Sequence, residues 1–273
     1  MLARMPPRLR EYPYGADILS AAGGFVMAAF SLSALFGRSR VSVPAGRHFG
    51  RDLAHHEHAG WRKLVLVRHG QTDFNVQHRL PGQLPGVPLN ETGRHEAQAA
   101  SDALRALPLT AIIASPLERT LETASYVNGS RGLTIRQEPD LLDTDYGKFN
   151  GRNYEELDKS DPQWRRFMAN PLRSPRGVES FAQVQRRGVR AAERWRAAPD
   201  VGEWVALVTH ADLVKLICAH YLGIPLERAP LFSMDNAAVS LLAFHPRAEE
   251  PPSLLCFNWT SPALWIAAAQ RDS

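Results

Sequence analysis

From residue 63 to about residue 258, short apolar runs rich in β-branched residues alternate with segments of helical periodicity. That alternation limits the fold more than any other feature of the chain. Lys63-Leu64-Val65-Leu66-Val67 is the kind of run that fills a strand buried on both faces. Asn90-Glu91-Thr92-Gly93 then opens a helix-period segment with Ala97, Ala100, Leu104 and Leu107 on one side. An apolar strand follows at 109–114, a helix at 117–127 and a strand-like Leu133-Thr134-Ile135. A polar, helix-rich stretch covers 150–198 and is broken by Pro162, Pro171 and Pro175. Trp204 to Val208 reads as a further buried strand with a helix after it through Tyr221, and β-like runs at 239–244 and 254–257 close the pattern. Strands separated by helices pair mostly in parallel and need helices on both faces. The expected fold class is therefore α/β, a three-layer α/β/α sandwich with a mostly parallel central sheet.

The chain has 273 residues, 44% hydrophobic and 22% charged, which excludes a disordered or low-complexity protein. Its formal charge of +4 is unevenly spread. Residues 1–63 carry nine basic against four acidic side chains, and the rest carries 23 against 24, so the basic balance gives no reason to expect a nucleic-acid partner. Cys218 and Cys256 form no CxxC and no ligand cluster, which fits a reducing compartment and a fold without disulfide staples.

Ile18 to Phe36 is a run of nineteen residues without a charge, flanked by Arg4, Arg8 and Arg10 before it and Arg38 and Arg40 after it. It reads as a dispensable extension of a cytoplasmic protein, as a tether making membrane contact through residues 18–36, or as a cleaved export signal. Its many Ala, Ser and Gly residues weaken the case for insertion. Residues 41–62 read as a linker, and His55, His56 and His58 within it lack the acidic or cysteine partners of a metal site. The expected organisation is an extension over 1–62 and a catalytic domain over 63–273.

Chemistry concentrates where the strands end. Arg68-His69-Gly70-Gln71-Thr72-Asp73-Phe74-Asn75 follows the first strand, Ser115-Pro116-Leu117-Glu118-Arg119-Thr120 the second, and Thr209-His210 the strand from Trp204. Ligands of open α/β sheets bind beyond the carboxyl ends of the strands, so Arg and His groups at three such ends suit a phosphate pocket. Arginine offers a planar fork to phosphate oxygens, and histidine a nitrogen that can be covalently phosphorylated. Gly70 is expected to let the backbone approach a ligand closely. Asp212 reads as the N-cap of the helix through Tyr221, and Trp164, Arg165, Arg166 and Phe167 read as a solvated helix face.

With Pro88-Leu89-Asn90-Glu91-Thr92-Gly93 and Thr120-Leu121-Glu122-Thr123-Ala124 added, four ordered motifs stand on these strand ends. R-H-G-x-T, P-L-x-E-x-G, S-P-x-x-R-T-x-x-T-A and the late T-H together resemble the histidine phosphatase superfamily, in its phosphoglycerate-mutase-like branch. The resemblance covers residues 63 to about 258. It implies that His69 is the nucleophile and becomes a phosphohistidine, that Arg68, Arg119 and His210 bind the phosphoryl oxygens, and that Asn75 adds a hydrogen bond. It implies a phosphomonoester hydrolase acting on a small phosphorylated metabolite, with neither metal nor organic cofactor. The family's acid is a Glu four residues before the Gly of a [FYL]-G-x-x-x-G element. Here Asp143 stands at that place, before Tyr146-Gly147-Lys148-Phe149-Asn150-Gly151, and Asp145 is the nearest substitute. Gly177-Val178-Glu179-Ser180 resembles a G-x-E-S element, with Glu179 either at the substrate or in the first turn of a helix. A cofactor-dependent phosphoglycerate mutase is the first alternative, although the R-R-x-Y-x-x-P-P pattern of family mutases is missing. A catalytically inactive phosphate-binding module, suggested by the aspartate at 143, is the second.

Overall fold

Alternate residues of the first strand enter two different cores. In the computed structural model, which describes residues 60–247 and 249–261, the chain begins with β1 (Arg62–Arg68), α1 (Asp73–Val76), α2 (Glu91–Leu104), β2 (Ala111–Ala114) and α3 (Glu118–Asn128). It continues through β3 (Ile135–Gln137), α4 (Tyr154–Ser160), α5 (Pro162–Ala169) and α6 (Phe181–Ala197). The last elements are β4 (Trp204–Thr209), α7 (Ala211–Tyr221), β5 (Val239–Phe244) and β6 (Ser253–Trp259). Leu64 and Leu66 join one apolar cluster with Leu207, Val184 of α6 and Leu213 of α7. Val65 and Val67 join the other, with Val208, Ala100 of α2 and Val127 of α3. A strand's period of two demands this division, and a run apolar on both faces is stable only with both faces covered. All four β1 side chains are fully buried, each contributing about 1.5–3 kcal/mol of apolar transfer.

The six strands lie in the order β3-β2-β4-β1-β5-β6. The first four are parallel, while β5 and β6 add antiparallel pairings on the far side of β1. The three-layer, mostly parallel arrangement is therefore present. Three local expectations need correction. The strand after α3 begins at Ile135, because the Asn128 side chain ties Leu133 back to the helix end through bonds to its carbonyl (2.7 Å) and its amide (3.0 Å). Pro162 starts α5 instead of interrupting a helix, since the missing N–H costs nothing there and Asp161 caps the turn. Trp164 and Phe167 are buried, whereas Arg165 and Arg166 are exposed. Spaced i, i+3, the two rings form an apolar stripe that packs on Phe149, Tyr146 and Phe181.

Among the described residues no helix is long and apolar enough to cross a membrane. The apolar run 18–36 and the histidines at 55, 56 and 58 lie outside the described residues.

Candidate active site

Parallel pairing sets the site. Arg68 of β1 is in register with Thr209 of β4, and the His69 amide donates to the Thr209 carbonyl at 3.0 Å. On the other side of β4, the Ser115 amide donates to the Val208 carbonyl at 3.0 Å. Main-chain geometry thus brings His69, His210 and Ser115 to one sheet edge, the crevice beyond the carboxyl ends of the strands. The imidazoles of His69 and His210 lie 5.3 Å apart, centroid to centroid, at 61°.

His69 is 2% exposed, and its Nδ1 lies 2.7 Å from the Gly70 carbonyl. A carbonyl only accepts, so the proton sits on Nδ1 and the Nε2 lone pair is left free. Burial, then the charges of Arg119 and Arg68, hold the ring well below its usual pKa, so it stays neutral. Gly70 serves a neighbouring helix and not a ligand: a Cβ there would lie 2.3 Å from the Gly93 carbonyl, and one on Gly93 would lie 2.0 Å from that of Gln71. The two glycines let the loop after β1 seat directly on the first turn of α2.

The cationic groups around His69 are held from behind, with donors left over. Arg119 is fully buried on α3, and its Nη2 donates to the Gly82 carbonyl (2.8 Å) and to Asp143 Oδ2 (3.0 Å). Arg68 Nη1 donates to the Met234 carbonyl at 2.5 Å. His210 Nε2 lies 3.0 Å from Ser115 Oγ, and burial drives this ring also well below its usual pKa. Arg68 Nε, Arg119 Nε and Nη1, and His210 Nδ1 are buried with no hydrogen-bond partner among the described residues. Buried donors are rarely left so, and several of them in one crevice fit a tetrahedral oxyanion.

Arg68, His69, Asn75, Asp143, Tyr146 and Asp212 line a cleft of about 100 Å³. Asn75 Oδ1 accepts from the Thr72 amide and hydroxyl (both 2.9 Å) and from Asn236 Nδ2 (3.2 Å), which turns the NH₂ end into the group available to a ligand. Asp143 is buried, with Oδ1 accepting from the Thr144 amide at 2.9 Å and Oδ2 lying 3.4 Å from His210 Nδ1. Burial raises its pKa to about 6 against the opposing pull of Arg119, and the charge of Asp212 adds to the rise. Asp145 is spent elsewhere, accepting from the Gly147 amide and from Asn150 Nδ2, both at 2.8 Å.

Two expectations change here. Asp212 does not cap α7: His210 occupies the N-cap position, and the Asp212 carboxylate, inside the first turn, accepts from Tyr146 Oη (2.7 Å) and Thr144 Oγ1 (3.0 Å). Glu179 neither lines the cleft nor lies in the first turn of α6, which Ser180 caps. It accepts from the Asp145 amide at 2.9 Å, and its own amide donates to the Asp145 carbonyl at 2.8 Å. Arg187, which sequence reasoning missed, completes that clamp with bonds to Glu179 (2.8 and 2.9 Å) and to the Asp143 carbonyl (2.8 Å). No sequence signal marks it, because an arginine on an amphipathic helix reads as solvated. Arg187→Ala is expected to cost about 3 kcal/mol, since it removes the counter-charge of Glu179 and takes a donor from the Asp140, Leu142 and Asp143 carbonyls. Chemical denaturation checks this by the shift of its midpoint.

Residues 64–259 match the histidine phosphatase superfamily (branch 1). The chain belongs to that superfamily. It is 32% identical over 219 residues to a glucosyl-3-phosphoglycerate phosphatase of Mycolicibacterium vanbaalenii, covering 77% of this chain and 96% of the relative. A probable phosphoglycerate mutase of Photorhabdus laumondii is 31% identical over 181 residues, 65% of this chain and 83% of that one. The vanadate complex of a mycobacterial glucosyl-3-phosphoglycerate phosphatase superposes with a TM-score of 0.65 at 32% identity, covering 73% of this chain and all of that one. This histidine phosphatase is an enzyme, a phosphomonoester hydrolase.

Proposed function

We propose that this histidine phosphatase works through a phosphohistidine at His69, with Asp143 as the acid and base. The observation that carries the reading is the set of buried, unpartnered donors on Arg68 and Arg119 beside an imidazole whose Nδ1 proton is held by the Gly70 carbonyl. The Nε2 lone pair attacks phosphorus as the bond from phosphorus to the ester oxygen breaks. Asp143 passes its proton to the departing alkoxide. Water then attacks the phosphohistidine and yields its proton to the Asp143 carboxylate, the P–N bond breaks, and inorganic phosphate leaves. Arg68, Arg119, His210 and the Asn75 amide neutralise and orient the equatorial oxygens, which is most of what phosphoryl transfer requires.

The substrate proposed is a phosphorylated sugar acid, a class supported by the names of the mycobacterial relatives. Phosphate release from a panel of phosphorylated metabolites tests it, with sugar-acid phosphates expected to give the highest kcat/KM. Hydrolysis is favoured over mutase transfer because the arginine-rich segment of the family's mutases is missing from the chain. The catalytic unit is proposed to be residues 63–273, with 1–62 as an extension. Deleting 1–59 is expected to leave kcat unchanged and the melting midpoint within about 3 °C; a larger fall would mean that the extension packs on the catalytic unit.

The pH profile follows from the two perturbed groups. An acid whose pKa stands at about 6 is lost as pH rises through that value, so kcat/KM on alkyl phosphates is expected to fall above it. His69, held well below 6.5, stays unprotonated, so no acid-side loss is expected until well under that pH. p-Nitrophenyl phosphate is the control, because its leaving group departs without a proton. A basic limb equally steep on both substrates would refute Asp143 as the acid.

A further inference from the structure

A second and larger cleft opens on α5 and the loop that follows it. It encloses about 580 Å³, and four cations, Lys148, Arg166, Arg173 and Arg176, line it together with Ser174 and the buried ring of Phe167. No carboxylate is among its lining residues. On α6, by contrast, Arg187, Arg190 and Arg194 all bond Asp or Glu. Arg166, Arg173 and Arg176 have no ion-pair or hydrogen-bond partner for their side chains among the described residues. Lys148 donates to Gln163 Oε1 at 2.5 Å, which holds its ammonium at the cleft.

Grouping four like charges in one concavity, where the Asp161 carboxylate acts on Lys148 alone among them, costs self-repulsion, and the concave wall concentrates their field. A multiply charged anion reverses that cost, and three guanidinium forks match the oxygens of phosphate groups. The loop that carries two of them is partly set in advance. Pro171 and Pro175 fix its φ angles, and turn bonds from Arg173 to Asn170 (3.0 Å) and from Val178 to Pro175 (3.1 Å) hold its ends. Less ordering is then needed when a ligand binds.

The two clefts share no lining residue. Between them stand the rings of Tyr146, which faces the catalytic cleft, and Phe167, 6.5 Å apart. An occupant of the basic cleft therefore contacts a different set of side chains from the group held beside His69. We propose that this cleft is a binding site for a small polyanion carrying two or more phosphate groups, bound alongside the substrate. Such a ligand would bridge α5 and the 173–176 loop. That loop leads directly into Glu179, which clamps the Asp145 backbone, so occupancy has a short covalent path to the segment that holds Asp143.

The test is calorimetric titration of the full chain with methylenediphosphonate, whose P–C–P linkage resists hydrolysis. The catalytic cleft is first saturated with freshly boiled orthovanadate at pH 8, so that it cannot take up the probe. The expected result is binding at one equivalent per chain that weakens as sodium chloride is raised. In Arg173→Ala/Arg176→Ala it should be about tenfold weaker or lost. Both side chains are exposed and unpartnered, so the double variant should keep wild-type p-nitrophenyl phosphate turnover within about twofold, which shows that it is folded. Failure of the vanadate-loaded enzyme to bind the probe would overturn the proposal. So would equal binding by the double variant, because the anion would then sit elsewhere.

Discussion

His69→Ala is expected to lower turnover by about 10⁴-fold or more on every phosphomonoester, activated or not, because it removes the proposed nucleophilic atom. The four groups proposed to bind phosphate would remain in place, so the variant should still bind vanadate. Binding without turnover distinguishes a missing nucleophile from a collapsed site. Rapid quenching of the wild type on ³²P-labelled substrate should yield a label stable in base and labile in acid, the stability pattern of a phosphoramidate. Label retained by His69→Ala would move the nucleophile elsewhere. The other imidazole in the crevice, on His210, is a poor substitute, since its Nε2 is engaged with Ser115 and its Nδ1 lies against Asp143.

Asp143→Asn should lose about 10²–10⁴-fold on alkyl phosphates and much less on p-nitrophenyl phosphate. The amide keeps the shape and can still accept from the Thr144 amide, so the loss reports proton transfer more than packing. Removing the charge beside Arg119 leaves a buried guanidinium with only the Gly82 carbonyl as partner, and a lower melting midpoint should accompany the kinetic loss. Equal losses on both substrates would reassign Asp143 to holding Arg119 in place. Wild-type behaviour would exclude both roles.

The α/β architecture was readable because burial on both faces leaves a mark on every residue of a strand. Val65 and Val67 must be as apolar as Leu64 and Leu66, since the two sets face different helices. The placement of Arg68, His69, Arg119 and His210 in one crevice is readable for a related reason: strand ends show in the sequence, and the residues just beyond parallel strands meet at one sheet edge. The burial of Trp164 and Phe167 is not legible in the sequence, because an eight-residue helix carries too few turns for its apolar stripe to stand out.

What the chain's own residues determine locally is the layered fold, the strand ends and the cationic and imidazole groups placed on them, because periodicity and strand termination are properties of adjacent residues. Only the tertiary structure decided which carboxylate faces the cleft. Asp143 and Asp145 differ by two positions, and the choice rests on contacts from residues far along the chain: Arg119 reaches Asp143, while Glu179 and Arg187 hold the backbone so that Asp145 turns to Gly147 and Asn150. Asp212 changed from a helix cap to a partner of Tyr146 and Thr144 for the same reason. A hydrogen bond between residues more than sixty positions apart leaves no periodic trace, so the packed chain alone determines it.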